Sequence, residues 1–230
     1  VSAAATRSGQ FMGLGQLDRP MKVPLEAHAS RFDDAAADYD DDKAPEYRAA
    51  LALVVEHAAP DGSDVVLDVG TGTGAVALAL AETAGRVLGR DISEGMLQQA
   101  REKATDRGLE NVEFATGRFR EPNVEGASVD IVTSNFAMHH LSDEEKREAI
   151  DVLAGLRPRR IGLGDVMLFG QAGPDEPFYS PEVDDPATVG VLADAFTDAG
   201  YVLTAVEYVH EQVGVLVAER PEAVNRGGSP

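Results

Sequence analysis

The chain has 230 residues, no cysteine, and 40 acidic against 20 basic residues, a formal net charge of −20. Lack of thiols excludes disulfides, thiolate metal sites and cysteine nucleophiles, and broad acidity argues against nucleic acid as the main partner, because phosphate binding needs a basic footprint. No apolar run approaches the about 18 residues of a membrane span, residues 1–15 lack the pattern of a secretory signal, and the expectation is one cytoplasmic α/β domain, monomeric or homodimeric, with an N-terminal extension.

Residues 1–24 are rich in Gly, Ser and Ala without periodicity and are expected to be mobile. Residues 25–60 read as a helical cover in two pieces, the second marked by Tyr47, Leu51, Val54, Val55 and Ala58 as a buried stripe at helical spacing. Between them, the acidic run Asp33 to Asp42 lacks the central glycine and closing glutamate of a calcium loop and reads as a solvated helix face and turn. After Pro60-Asp61-Gly62 a domain over 61–220 begins. The pattern predicts strand 65–69, helix 75–84, strand 86–90, helix 94–107 capped by Ser93, and strands 111–115 and 129–134. Ser142 to Glu145 fits a capping box that opens a helix to about residue 156. A strand near 160–169, a Pro/Gly/Asp-rich loop near 170–186 and a helix over 187–199 follow. Strands 201–209 and 213–219 lie close enough for an antiparallel hairpin, and 221–230 reads as a disordered tail. Strands alternating with helices predict an α/β, Rossmann-like doubly wound sheet of seven strands, mostly parallel, with a C-terminal antiparallel hairpin and helices on both faces.

The chemistry concentrates in Val65-Val66-Leu67-Asp68-Val69-Gly70-Thr71-Gly72-Thr73-Gly74, followed seventeen residues later by Asp91. Alternating glycines let the backbone take positive φ and let a ligand approach the main chain. The helix start behind them offers unpaired N–H groups and partial positive charge. Asp91 ends the next strand, where a carboxylate can take both hydroxyls of a ribose. Asp68 sits at the tip of a buried strand, which is costly without a polar partner. An ammonium group suits it and a pyrophosphate does not, which favours an amino-acid-bearing ligand over a dinucleotide.

These residues, with Asp91-Ile92-Ser93, Met96 and Asn135-Phe136-Ala137-Met138-His139-His140-Leu141, resemble the class I S-adenosylmethionine-dependent methyltransferases over about residues 30–219. The likeness is nearest to the small-molecule branch that includes menaquinone- and ubiquinone-type enzymes and many uncharacterised single-domain relatives. It implies S-adenosylmethionine as cofactor and S-adenosylhomocysteine as product, with a small-molecule methyl acceptor. It implies that Asp68, Gly70, Thr71, Gly72 and Gly74 face the methionine portion, that Asp91 holds the ribose, that Ile92 lies against adenine, and that Met96 is among the cofactor-binding residues. It further implies that Tyr39 belongs to a lid over the cofactor and that Asn135 and Phe136 line it. Where the family usually has Gly-Asp-Ala, this chain has Gly117-Arg118-Phe119. The adenine acceptor is thus missing at Arg118, which leaves backbone contacts and stacking on Phe119.

His139 and His140 invite a general-base or metal reading. Adjacent side chains diverge and lack the i,i+4 spacing of helical zinc pairs, so no metal is expected. Candidate bases are His139, His140, His28 and Asp165. Methyl transfer from a sulfonium needs alignment and exclusion of water, and a base only where the acceptor must lose a proton. Two rivals stand beside this reading. One is an NAD(P)-dependent oxidoreductase, since Ala75 can replace the third glycine of Gly-x-Gly-x-x-Gly/Ala. The other is a non-catalytic S-adenosylmethionine-binding protein. The dispersed acid, with four lysines among the twenty basic residues, is read as adaptation to high salt, where screening shortens the reach of self-repulsion.

Overall fold

The computed structural model describes residues 22–41, 43–124, 126–170 and 177–221. The expected N-terminal extension, up to residue 21, and the tail from residue 222 lie outside the described residues, as does part of the 170–186 loop. Seven strands, β1 (Val65–Val69), β2 (Arg86–Asp91), β3 (Val112–Thr116), β4 (Ile131–Asn135), β5 (Arg160–Val166), β6 (Val202–His210) and β7 (Val213–Glu219), form one sheet. Their order is β3-β2-β1-β4-β5-β7-β6. β1 to β5 pair in parallel, whereas β7 runs antiparallel to both β5 and β6. The expected mixed sheet with a terminal hairpin is what forms.

The described residues form six α-helices, α1 (Leu25–Ala35), α2 (Pro45–Ala58), α3 (Ala75–Leu80), α4 (Glu94–Asp106), α5 (Asp143–Gly155) and α6 (Val189–Asp198), of which α1 packs on α4. No helix among the described residues is long and apolar enough to cross a membrane. Successive residues of a strand point to opposite faces, so a strand covered on both sides must be apolar throughout. Val66, Val87 and Ile131 accordingly pack beneath α2, α3 and α4. Their neighbours Leu67, Leu88 and Val132 pack on the other face beneath α5 and α6.

Several boundaries move for local reasons. The predicted helix over 75–84 stops at Leu80, whose carbonyl takes the N–H groups of Thr83 and Ala84 as the chain turns toward β2. β5 ends at Val166 instead of 169, although Met167 and Phe169 still bond the backbone of Gln212 and Glu211. α6 starts two residues late because the Thr188 hydroxyl caps it. Ser93 and Ser142 cap α4 and α5 as expected, the latter with a complete capping box through Glu145.

Parallel strands leave a crevice at their carboxyl ends where the chain order reverses, here between β1 and β4. Gly89, in the middle of β2, lies against the Phe114 ring and beneath the Thr71 hydroxyl at that crevice, and a Cβ there would overlap the ring. Gly89→Ala is expected to lower stability by about 1–3 kcal/mol through overpacking, read from the midpoint of urea denaturation. An unchanged midpoint would mean that the ring moves aside freely.

Candidate functional site

The crevice is a cleft of about 1070 Å³, open to solvent at its mouth. Its floor is the turn from β1 into α3. Gly70, Gly72 and Gly74 have φ of +70°, +54° and +86°, values at which a Cβ would strain the backbone. The N–H groups of Gly70 and Thr71 donate to the Arg90 carbonyl at 2.8 and 3.0 Å, which ties the turn to β2. A Cβ on Gly70 would collide with Ala137, so the turn also depends on a close approach to the segment after β4. Gly74 does not border the cleft; it lets α3 pack on Ala100 and Phe114.

Two carboxylates flank this turn. Asp68 is 1% exposed and accepts the Thr71 hydroxyl at 2.6 Å and the Thr133 hydroxyl at 2.8 Å. Burial pushes its pKa up to about 6, and the nearby Asp91 adds to the effect. Asp91 accepts the Gly72 N–H at 2.7 Å and the Ser93 N–H at 3.0 Å. Burial raises its pKa as well, against those backbone hydrogen bonds. Among the described residues, no cationic side chain bonds either group. A site that concentrates negative charge without compensation is built for a ligand carrying positive charge and hydroxyl donors.

One wall comes from the first fifty residues. Asp33 of α1 accepts the Ser93 hydroxyl at 2.6 Å and the Gly95 N–H at 2.9 Å. Asp40 accepts the Thr73 hydroxyl at 2.9 Å and pairs with Lys103. Part of the acidic run is therefore a clamp onto the glycine turn and α4, not only a solvated face. Tyr39 borders the cleft as expected, its hydroxyl pushed up to about 12 by burial. Tyr47, assigned from its spacing to a buried stripe, also borders it: it lies in the first turn of α2, with its ring 5.1 Å from Phe136. Ile92, Met96, Gly117, Arg118 and Phe119 form the opposite end. Arg118 pairs with Glu121 at the surface, and Phe119 is largely absorbed into the core at 8% exposure.

The third wall follows β4. Asn135 is buried, and its amide makes no hydrogen bond of good geometry, although the Tyr47 hydroxyl stands beside it. Phe136 holds φ of +55°, a strained value for an aromatic residue and one that clusters at functional sites. That turn feeds a short 3-10 segment, Met138–His140. Asp165, on β5, accepts the N–H groups of Met138 and His139 and the His139 ring at 2.5 Å. His140 borders the cleft and donates its Nδ1 proton to Asp184 at 2.6 Å. Burial and the neighbouring His139 lower the His140 pKa to about 4. Asp184 is pushed up by burial, yet the His140 hydrogen bond and the adjacent imidazoles hold it at about 2. The expectation that adjacent histidines diverge is overturned: within the 3-10 turn the two rings are tilted against each other, centroids 4.1 Å apart. His28 of α1 stands against them, 4.9 Å from His140, and borders the same cleft.

Residues 66–157 match the family model described as a methyltransferase domain. An uncharacterised methyltransferase of Geobacillus sp. (strain WCH70) is 35% identical over 63% of this chain, and the match spans 64% of that protein's length. The uncharacterised methyltransferase YcgJ of Bacillus subtilis is 28% identical over 86% of this chain and 79% of its own. Its crystal structure superposes with a TM-score of 0.58, 25% identity, 68% of this chain and 70% of that one. Magnesium protoporphyrin IX methyltransferase of Synechocystis with bound S-adenosylhomocysteine shares the fold at a TM-score of 0.67, with 20% identity over 86% of this chain and 100% of that one. By its sheet order, its domain match and these relatives, the chain is similar to the class I S-adenosylmethionine-dependent methyltransferases.

Proposed function

We propose that this protein binds S-adenosylmethionine along the β1 and β2 ends and transfers its methyl group to a small molecule held beneath α1. The observation that carries the reading is a single cleft with two chemically different sets of walls. One is formed by Asp68, the glycine turn and Asp91, and the other by His28, Phe32, Phe136 and His140. In this reading Asp68 faces the methionine ammonium, Asp91 takes the ribose hydroxyls, and Ile92, Met96 and Phe119 border adenine. The carbon–sulfur bond breaks with its electrons passing to sulfur, while a lone pair of the acceptor forms the new bond to the methyl carbon. Alignment and exclusion of water by the aromatic walls supply much of the rate, about 7 kcal/mol or more for a well-held pair. Where the acceptor must lose a proton, an imidazole that borders the cleft, His28 or His140, receives it. A nicotinamide cofactor is disfavoured by Asp68, which would face its pyrophosphate. A purely ligand-binding role would not need the wall of His28, Phe32, Phe136 and His140 that the cleft carries beside the acidic one.

Titration calorimetry with S-adenosylhomocysteine and NADH separates these readings. Binding of the first and not the second is expected, with Asp91→Asn weakening it about tenfold; tight NADH binding alone would sink the proposal.

Asp68 also makes a pH signature. Its folded pKa of about 6 stands above the ordinary 3.8, so between those values the folded chain holds more protons than the unfolded one. Stability of the cofactor-free protein then falls as pH rises through that window. An ammonium brought beside Asp68 removes its proton. Affinity for S-adenosylhomocysteine is therefore expected to climb as pH rises towards 6, by up to about tenfold per pH unit, and to level off above it. Calorimetry in buffers of different ionisation enthalpy reads the released proton, and Asp68→Asn should erase both trends.

The acidic surface supports a high-salt setting. Thermal unfolding is expected to shift upward in molar KCl, and maximal stability in dilute buffer would remove that part of the proposal.

A further inference from the structure

The corner between β4, β5 and α1 contains more ligand chemistry than proton transfer requires. Ligand-type atoms of His139, His140 and Asp184 lie within 4.8 Å of one another. A zinc-type ion with bonds of about 2.0–2.2 Å brings its ligand atoms roughly 3–3.5 Å apart, so small side-chain adjustments close the shell. Asp165 already accepts four hydrogen bonds, from the N–H groups of Met138, His139 and Val166 and from His139 Nδ1. That carboxylate fixes the His139 tautomer and leaves Nε2 with its lone pair, the backing that metal-binding imidazoles receive.

A second observation is independent of this pair. His28 is 1% exposed, and neither of its ring nitrogens has a hydrogen-bond partner. Its ring faces His140 at 4.9 Å and borders the same cleft. Buried polar groups are ordinarily satisfied, and one left bare beside other donors calls for a ligand. The nearby ammonium groups do not claim the two carboxylates. Lys146 bonds the carbonyls of Leu141 and Asp185, and Lys22 bonds those of Pro181 and Asp184.

We propose that His139, His140 and Asp184 bind a divalent transition-metal ion of the zinc class, with His28 as the additional donor. Imidazole with a single carboxylate suits zinc, cobalt or nickel, whereas magnesium and calcium prefer all-oxygen shells. Through His28 and His140, which border the cleft, the ion reaches the acceptor, where it takes an oxygen and lowers that oxygen's proton affinity. Only this role rests on the methyl-transfer reading; the binding itself does not.

The test is calorimetry of EDTA-treated protein with ZnCl₂, together with the visible spectrum of its Co²⁺ form. One equivalent of zinc with micromolar or tighter affinity is expected, along with the intense visible bands of low-coordinate cobalt. His139→Gln and Asp184→Asn should each weaken binding at least tenfold, and His28→Leu should weaken it to a smaller degree. The only other histidines are His57 and His210, and replacing both with Gln should leave affinity unchanged. Far-ultraviolet dichroism and S-adenosylhomocysteine titration check that each variant is folded. The cobalt spectrum of the unsubstituted protein stands even if a variant is not folded. Millimolar zinc affinity, a spectrum of hydrated octahedral cobalt, or equal loss on replacing His57 and His210 would overturn the site. Each of these results would leave the S-adenosylhomocysteine and NADH titrations to decide the methyl-transfer reading separately.

Discussion

The structure turns on a buried acid that no cationic side chain among the described residues bonds. Asp68 ends a strand buried on both faces, where an ionised carboxylate is costly. The chain meets this cost partly with two threonine hydroxyls, from the turn that follows and from the neighbouring strand. Those bonds fix where the turn begins, and the turn in turn needs glycines at positive φ, one of them pressed against Ala137. Even so, Asp68 keeps its proton to about pH 6. The unliganded fold therefore carries an unfavourable electrostatic state that a positively charged ligand relieves.

The rest of the cleft follows from strand order. Because β4 lies beside β1, the segment after β4 passes directly over the glycine turn. Because β5 lies beside β4, Asp165 can hold the backbone and ring of His139. The small-residue contact at Gly164 belongs to the same arrangement: a side chain there would displace the Asn135 amide and Val54. Backbone strain at Phe136 is maintained by these surroundings, including the Phe136 N–H bond to the Gly164 carbonyl at 2.8 Å.

The sheet and the glycine-turn end of the cleft were legible because their information is local. A strand, three glycines and a capped helix are written within a few dozen consecutive residues, and the acid at the end of β2 is one short step further. The histidine corner was legible only in part: His28, His139, His140 and Asp165 stood out singly as candidate bases, but neither their meeting nor Asp184 did. Its partners, Asp165 and Asp184, lie 26 and 44 residues away, and no spacing rule anticipates a 3-10 turn that tips adjacent rings together. Tyr47 misled for a related reason. Helical periodicity put it with Leu51 and Val54, yet its place in the first turn of α2 carries its ring past the sheet edge and into the cleft. Asp33 and Asp40 looked like solvent-facing charge because their hydrogen-bond partners come from α4 and the glycine turn, more than thirty residues on.

The α1 segment is fastened at two points. At one end, Lys22 reaches the 181–185 turn beside the histidines; at the other, Asp33 holds Ser93 and Gly95 at the start of α4. Ser93 also caps α4, so the latch at this end is part of a helix terminus. One eleven-residue helix, which also sets His28 against His140, thereby joins the histidine wall of the cleft to the start of α4, so that two walls of the cleft share a single strut.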